Sequence, residues 1–149
     1  MIYHGTRFTI KPGVPAERLE EALESLRNQG RQIPSVRHFT VGPDHGGEYD
    51  YGAVYVLDDL DGYWEYLDDL DGYWEYLIHP AHLHTDHIGL PLVDKFVSFD
   101  IADDPDPELG AKIAALHQRR YDNYPEVTQL VADLGEYHGS AAPGRHGKN

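Results

Sequence analysis

The chain has no cysteine in its 149 residues. That excludes disulfides, thiolate nucleophiles and thiolate metal sites. Positive charge is scarce as well: 12 Lys and Arg stand against 26 Asp and Glu, for a net charge of −14. A chain this acidic repels phosphates, so neither nucleic acid nor an anionic membrane surface is an expected partner. Long apolar runs are missing, and no stretch approaches the roughly 20 residues of a membrane-spanning helix. Met1–Ile10 alternates polar with apolar residues and carries His4 and Arg7, unlike a signal peptide, so a cytoplasmic location is expected. What remains is ordinary for a folded protein: 40% hydrophobic and 26% charged residues, in a length that suits one domain with an appendage.

One feature is not ordinary. The ten residues Leu57–Tyr66, LDDLDGYWEY, recur unchanged as Leu67–Tyr76. Each copy carries four acidic groups and no base, so without one copy the chain would stand at −10 rather than −14. Perfect identity argues for a recent or deliberate tandem duplication, and the unit is too short and too few for a solenoid. Leu57, Leu60, Trp64, Leu67, Leu70, Trp74 and Leu77 are at helical spacings. However, ten residues fall some 80° short of three full turns, so the apolar stripe drifts. Each copy also has its own N-cap candidates, Asp58 and Asp59 or Asp68 and Asp69. Three outcomes follow: a lengthened helix, one copy in the helix site with the other looped out, or exchange of elements between subunits.

Periodicity places the remaining elements. Ile2, His4, Thr6, Phe8 and Ile10 share one face of a first strand. Leu19, Ala22, Leu23 and Leu26 mark a helix over Ala16–Asn28, with Gly30 just past its end. Strands are predicted at Ser35–Val41, Tyr49–Val56 and Lys95–Ile101, with GPDHGG (Gly42–Gly47) as the turn between the second and third. Beyond Ile101 come an acidic, proline-punctuated linker, a helix at Leu109–Arg120 and a short helix around Glu126–Leu134. With the repeat as a second helix, the order strand–helix–strand–strand–helix–strand is the ferredoxin-like βαββαβ pattern, an α+β class. The third strand is apolar on both faces, with Tyr49, Tyr51, Ala53 and Tyr55 on one and Val54 and Val56 on the other. Helices cover only one face, so pairing with a second copy is the economical cover for the other.

EYLIHPAH (Glu75–His82), DKFVSFDI (Asp94–Ile101), the His4 strand and IPSVRHFTVGPD (Ile33–Asp44) together resemble the dimeric α+β barrel, or stress-responsive A/B barrel (Dabb), family. The resemblance spans residues 1–101 and leaves 102–138 as a helical C-terminal extension and 139–149 as a disordered tail. It implies a homodimer and, by similarity to the family's polyketide cyclases, a cofactor-free aldol-type cyclase or lyase. A small hydrophobic or polyketide-like ligand would occupy its pocket. Carried over by motif, the implied catalytic residues are His82, Tyr76 and a supporting His4, with Phe8, Tyr51 and His79 as substrate contacts. Tyr51 stands where the family pattern has a further histidine. The chemistry suits these residues: a neutral imidazole takes a proton alpha to a carbonyl, and a phenol donates to the developing enolate. His4 shares its face with Ile2, Phe8 and Ile10, apolar surroundings that favour an uncharged ring.

His79, His82, His84 and His87 crowd into nine residues, but Pro80 interrupts them and no HExxH or other zinc signature is present. The reading assigns no metal and no cofactor, with His84 and His87 the candidates if one binds. Two other functions compete: a non-catalytic stress-associated oligomer or small-ligand binder, and a cofactor-independent monooxygenase. A closed cavity on which Tyr76 and His82 converge would favour the enzyme, and a filled core the binder. The apolar residues of the C-terminal helices are expected to extend the dimer interface.

Overall fold

The computed structural model describes residues 1–57 and 71–143. Four strands form where period-2 patterning predicts them. They are β1 (Ile2–Ile10), β2 (Val36–Pro43), β3 (Tyr51–Leu57) and β4 (Val93–Ala102). A fifth strand, β5 (Glu136–Gly139), extends the sheet to the order β2-β3-β1-β4-β5. All neighbours are antiparallel except β4 and β5, which are parallel. The fold is thus α+β and ferredoxin-like, with an added edge strand.

Register carries the site. His4 lies opposite Tyr55 on one side and Asp100 on the other, so the three share one rung of the inner face. Two rungs along, Phe8 stacks on Tyr51 and on Phe96, with ring centroids 6.3 and 6.2 Å apart. These layers lie beneath the helices α1 (Ala16–Gln32), α2 (Asp71–Ile78) and α3 (Pro80–Gly89). Helix α1 runs through Gly30 instead of stopping before it. The glycine is there for packing, because a Cβ at that position would lie 2.4 Å from the Phe39 ring.

The HPAH segment starts a helix. His79 is the N-cap of α3, its Nδ1 accepting from the Ala81 amide at 3.0 Å, and Pro80 takes the first helical position, where a missing N–H costs nothing. Helix α2 comes from the second copy of the repeat and buries Tyr73, Tyr76 and Leu77. Residues 58–70, all of the first copy but Leu57 and the start of the second, lie outside the described residues, as does the question of whether the helix lengthens, loops out or exchanges.

The C-terminal segment is built into the domain. Helices α4 (Leu109–Asn123) and α5 (Pro125–Ala132) pack on their own domain, where Tyr121, Val127 and Val131 form a cluster with Leu90. Arg119 clamps α2 from α4, its guanidinium 4.2 Å from the Trp74 ring centroid. Residues 139–143 are held in place. Gly139, at φ +109, turns the chain so closely over Ser98 that a Cβ would lie 1.9 Å from the Ser98 carbonyl oxygen. Ala141 and Ala142 are then buried, and the Ala141 amide donates to Ser98 Oγ at 2.9 Å.

The outer face of the sheet carries Tyr3 and Ile101, 46% and 62% exposed, with half-buried Val54, Val97 and Phe99. Among the described residues no helix is long and apolar enough to cross a membrane.

Candidate active site

A cavity of about 90 Å³ lies between the inner face of the sheet and the helices. Its wall includes His4 and Phe8 from β1, Tyr76 from α2, His82 and Asp86 from α3, and His117, Arg120 and Tyr121 from α4. Tyr76 and His82 pack ring against ring, with centroids 4.5 Å apart and planes at 36°. His82 Nδ1 lies 3.1 Å from the Tyr76 carbonyl oxygen. A carbonyl only accepts, so Nδ1 carries the proton and Nε2 keeps its lone pair.

Burial holds the His82 ring down to about 4, an effect the Asp86 charge opposes and the Arg120 charge reinforces. His82 is therefore a neutral proton acceptor at any physiological pH. Burial pushes the Tyr76 hydroxyl well above its ordinary value, with the neighbouring Tyr55 and Asp86 adding to it. The group remains a donor, and no described residue hydrogen-bonds it. Asp86, one turn beyond His82, places Oδ1 3.7 Å from Nε2. Its Oδ2 accepts from Arg120 Nη2 in a buried ion pair. A proton arriving on Nε2 would thus meet a carboxylate already held in place.

A second cluster braces His4. The Tyr73 hydroxyl lies 2.7 Å from Asp100 Oδ1, 2.9 Å from His4 Nδ1 and 2.9 Å from His117 Nε2. It has one proton, which goes to the carboxylate, so the imidazoles donate to its oxygen. His4 Nδ1 is also 3.0 Å from Asp100 Oδ1, and Ser140 Oγ donates to Asp100 Oδ2 at 2.5 Å. Burial pushes the Asp100 carboxyl up, but the charge and hydrogen bond of His4 and the Ser140 hydroxyl outweigh it and hold it down to about 2. The surroundings of His4 are therefore not purely apolar, since a carboxylate faces it across the strand pair. Burial, with the His4 charge adding, lowers the His117 ring well below its ordinary value.

The sequence-predicted residues divide. His82, Tyr76, His4 and Phe8 meet on the cavity. Tyr51 stands behind Phe8 without lining the wall, and His79 is occupied in capping α3. His84 and His87 are exposed, and His87 Nδ1 donates back to the Leu83 carbonyl at 2.8 Å. Neither joins His82. The described residues bring together a different metal-capable group, His4, Asp100 and His117, with ligand atoms within 4.8 Å of one another. The Tyr73 hydroxyl sits among them and satisfies all three.

Sequence reading passed over Tyr73, Asp100, His117 and Arg120. Alternation in β4 places Phe96, Ser98 and Asp100 on the inner face, and an acid there was a readable signal. Likewise His117 and Arg120 fall at helical spacing between Ile113 and Tyr121 on the buried stripe of α4. Tyr73 was masked by its identical twin, Tyr63.

Residues 2–69 match the model of the stress responsive A/B barrel domain. Several solved structures share the fold. A dimeric ferredoxin-like protein from Thermobifida fusca is 26% identical, with 68% of this chain and 89% of that one covered at a TM-score of 0.55. The hydroxynitrile lyase of Passiflora edulis is 11% identical (70% and 94% covered, TM-score 0.56). SnoaB, a cofactor-independent oxygenase from Streptomyces nogalater, is 20% identical (72% and 97% covered, TM-score 0.50). No curated protein matches the chain.

Proposed function

We propose that this chain, which bears the stress responsive A/B barrel domain, is a cofactor-free acid–base enzyme of the cyclase or lyase type acting on a carbonyl compound. One observation supports this above the others: His82, a neutral imidazole with no hydrogen bond to Nε2, and Tyr76, a phenol whose hydroxyl has no partner among the described residues, lie side by side on one cavity. A well-filled core there would have favoured a purely structural or binding role.

In this reading His82 Nε2 takes a proton from the carbon alpha to the substrate carbonyl. Asp86 stabilises the imidazolium that results, and the Tyr76 hydroxyl donates to the enolate oxygen. The enolate then adds to a second carbonyl, as in an aldol closure, or expels a leaving group, as in a lyase. His4, steadied by Asp100 and Tyr73, assists from the sheet. Phe8 supplies apolar wall, whereas Tyr51 and His79 act only behind it, through the Phe8 stack and the α3 cap. The fold likeness to a lyase and to a cofactor-independent oxygenase is compatible with this chemistry. The cavity volume favours small substrates, because even a ~150 Å³ engineered cavity only just houses benzene.

The test is alpha-proton exchange of short 1,3-dicarbonyl compounds in D₂O, followed by NMR. His82→Gln should slow exchange by about 10²-fold or more and Tyr76→Phe by about tenfold or more. Wild-type exchange no faster than buffer, or unchanged in His82→Gln, would rule the assignment out.

A further inference from the structure

The cavity contains a cation that the acid–base reading leaves unused. Arg120 is 5% exposed and lines the wall beside Tyr76 and His82. A guanidinium has five N–H donors, and a buried one is costly unless acceptors meet them. Here only Nη2 is engaged, by Asp86, and Nε is buried without a partner among the described residues. An unmet donor on a buried, permanently charged group is the kind of exception that calls for a ligand oxygen. The planar fork of arginine suits a carboxylate best.

Arg120 and His117 come from α4, in the C-terminal segment that follows β4. The segment therefore adds charge and closure to a pocket that β1, α2 and α3 already outline.

We propose that the C-terminal segment makes this cavity selective for a small oxo acid, with Arg120 holding the substrate carboxylate beside the carbonyl that faces Tyr76 and His82. The proposal rests on the acid–base reading for the identity of the reacting carbonyl. Asp86 takes only Nη2, so the substrate carboxylate would be met by the Nε–H that Asp86 leaves without a partner. The cavity volume restricts the acid to a few carbons.

The test compares pyruvate and acetoacetate with pyruvamide and acetoacetamide, neutral compounds of nearly the same shape, by calorimetric or ligand-observed NMR titration of the full chain. The acids should bind about tenfold or more tightly than the amides. In Asp86→Asn/Arg120→Gln, which removes both charges and leaves neither unpaired, the ratio should fall to within about twofold. Near-UV circular dichroism reports whether this variant keeps its packing. Should it not fold, the wild-type ratio alone decides. Equal binding of acid and amide, or no binding of either, overturns the proposal, as does a preference that survives in the folded double variant. His82→Gln separates the two readings, since it should keep the acid preference while losing proton exchange. Preference without any wild-type exchange would remove the base and leave the carboxylate site standing. Exchange without preference would do the reverse.

Discussion

A single phenol holds the floor of the site. The Tyr73 oxygen ties β4, β1 and α4 together through Asp100, His4 and His117. Removing it in Tyr73→Phe leaves a buried carboxylate and two buried imidazoles short of a partner. The loss should be about 2–3 kcal/mol of unfolding free energy, measured by urea denaturation. A change near zero would mean that the cluster re-pairs without it. The site histidines also set an acid limit. His82 is held down to about 4 and His117 well below its ordinary value, while unfolded histidines titrate near about 6.5. Between these values the unfolded chain binds protons that the folded site refuses. Stability should therefore be flat above about pH 6.5 and fall toward pH 4 by roughly 1.4 kcal/mol per unit for each group. Asp100, held down to about 2, adds a further loss as pH drops below about 4. In His82→Gln the slope between pH 6.5 and 4 should be shallower, and an unchanged slope would show that His82 is not buried neutral.

At the scale of elements, the repeat is the chain's most conspicuous sequence feature, yet among the described residues the site draws only on its second copy. Deleting Leu57–Tyr66 or Leu67–Tyr76 yields the same polypeptide, which keeps the DGYWEY that forms α2 and the six-residue step from its last Tyr to His82. The connection from β3 to α2 drops from thirteen residues to three. Three residues lie within the usual range for a strand–helix connection. The shortened protein should fold with equal or slightly higher stability and keep its proton exchange. Loss of either would show that the first copy has become part of the fold.

The elements also show where sequence reading succeeds. Strand β1 was legible because polar and apolar residues alternate along it, β3 and β4 because short runs rich in Val, Tyr and Phe stand between turn signals, and α1 because its leucines recur every three or four residues. The end of α1 was misread because Gly30 has the composition of a cap but is there to admit the Phe39 ring. Strand β5 was invisible: four residues show no period, and a parallel pairing with β4 leaves no turn signal. Of the candidate site, His82 and Tyr76 came from the motif that carries the family resemblance. Asp86, Asp100, His117 and Arg120 could not be joined to them, because Asp86 meets Arg120 across 34 residues of chain and His4 meets Asp100 across 96.

For the molecule as a whole, the two faces of the sheet do different work. The inner face ends in the cavity. On the outer one, Tyr3 and Ile101 stand exposed among Val54, Val97 and Phe99, an apolar patch that suits an isologous contact. The structural neighbour from Thermobifida fusca is itself dimeric. A homodimer through this face is therefore the expected assembly. Each protomer carries a net charge of −14, so the patch must overcome charge repulsion. Raising the salt shortens the reach of that repulsion from about 30 Å at 0.01 M to about 8 Å at 0.15 M. Dimerisation should accordingly tighten as salt is added, the opposite of an association driven by attraction between charges. Ile101→Asp places a charge on the most exposed side chain of the patch and should weaken the dimer by about tenfold or more in sedimentation equilibrium. The cavity lies on the far side of the sheet, so the monomeric variant should retain the carboxylate preference and the proton exchange. A wild-type protein that stays monomeric at every concentration and salt would leave the outer face without its partner. A variant that loses both dimer and exchange would mean that the second copy supports the cavity through the sheet.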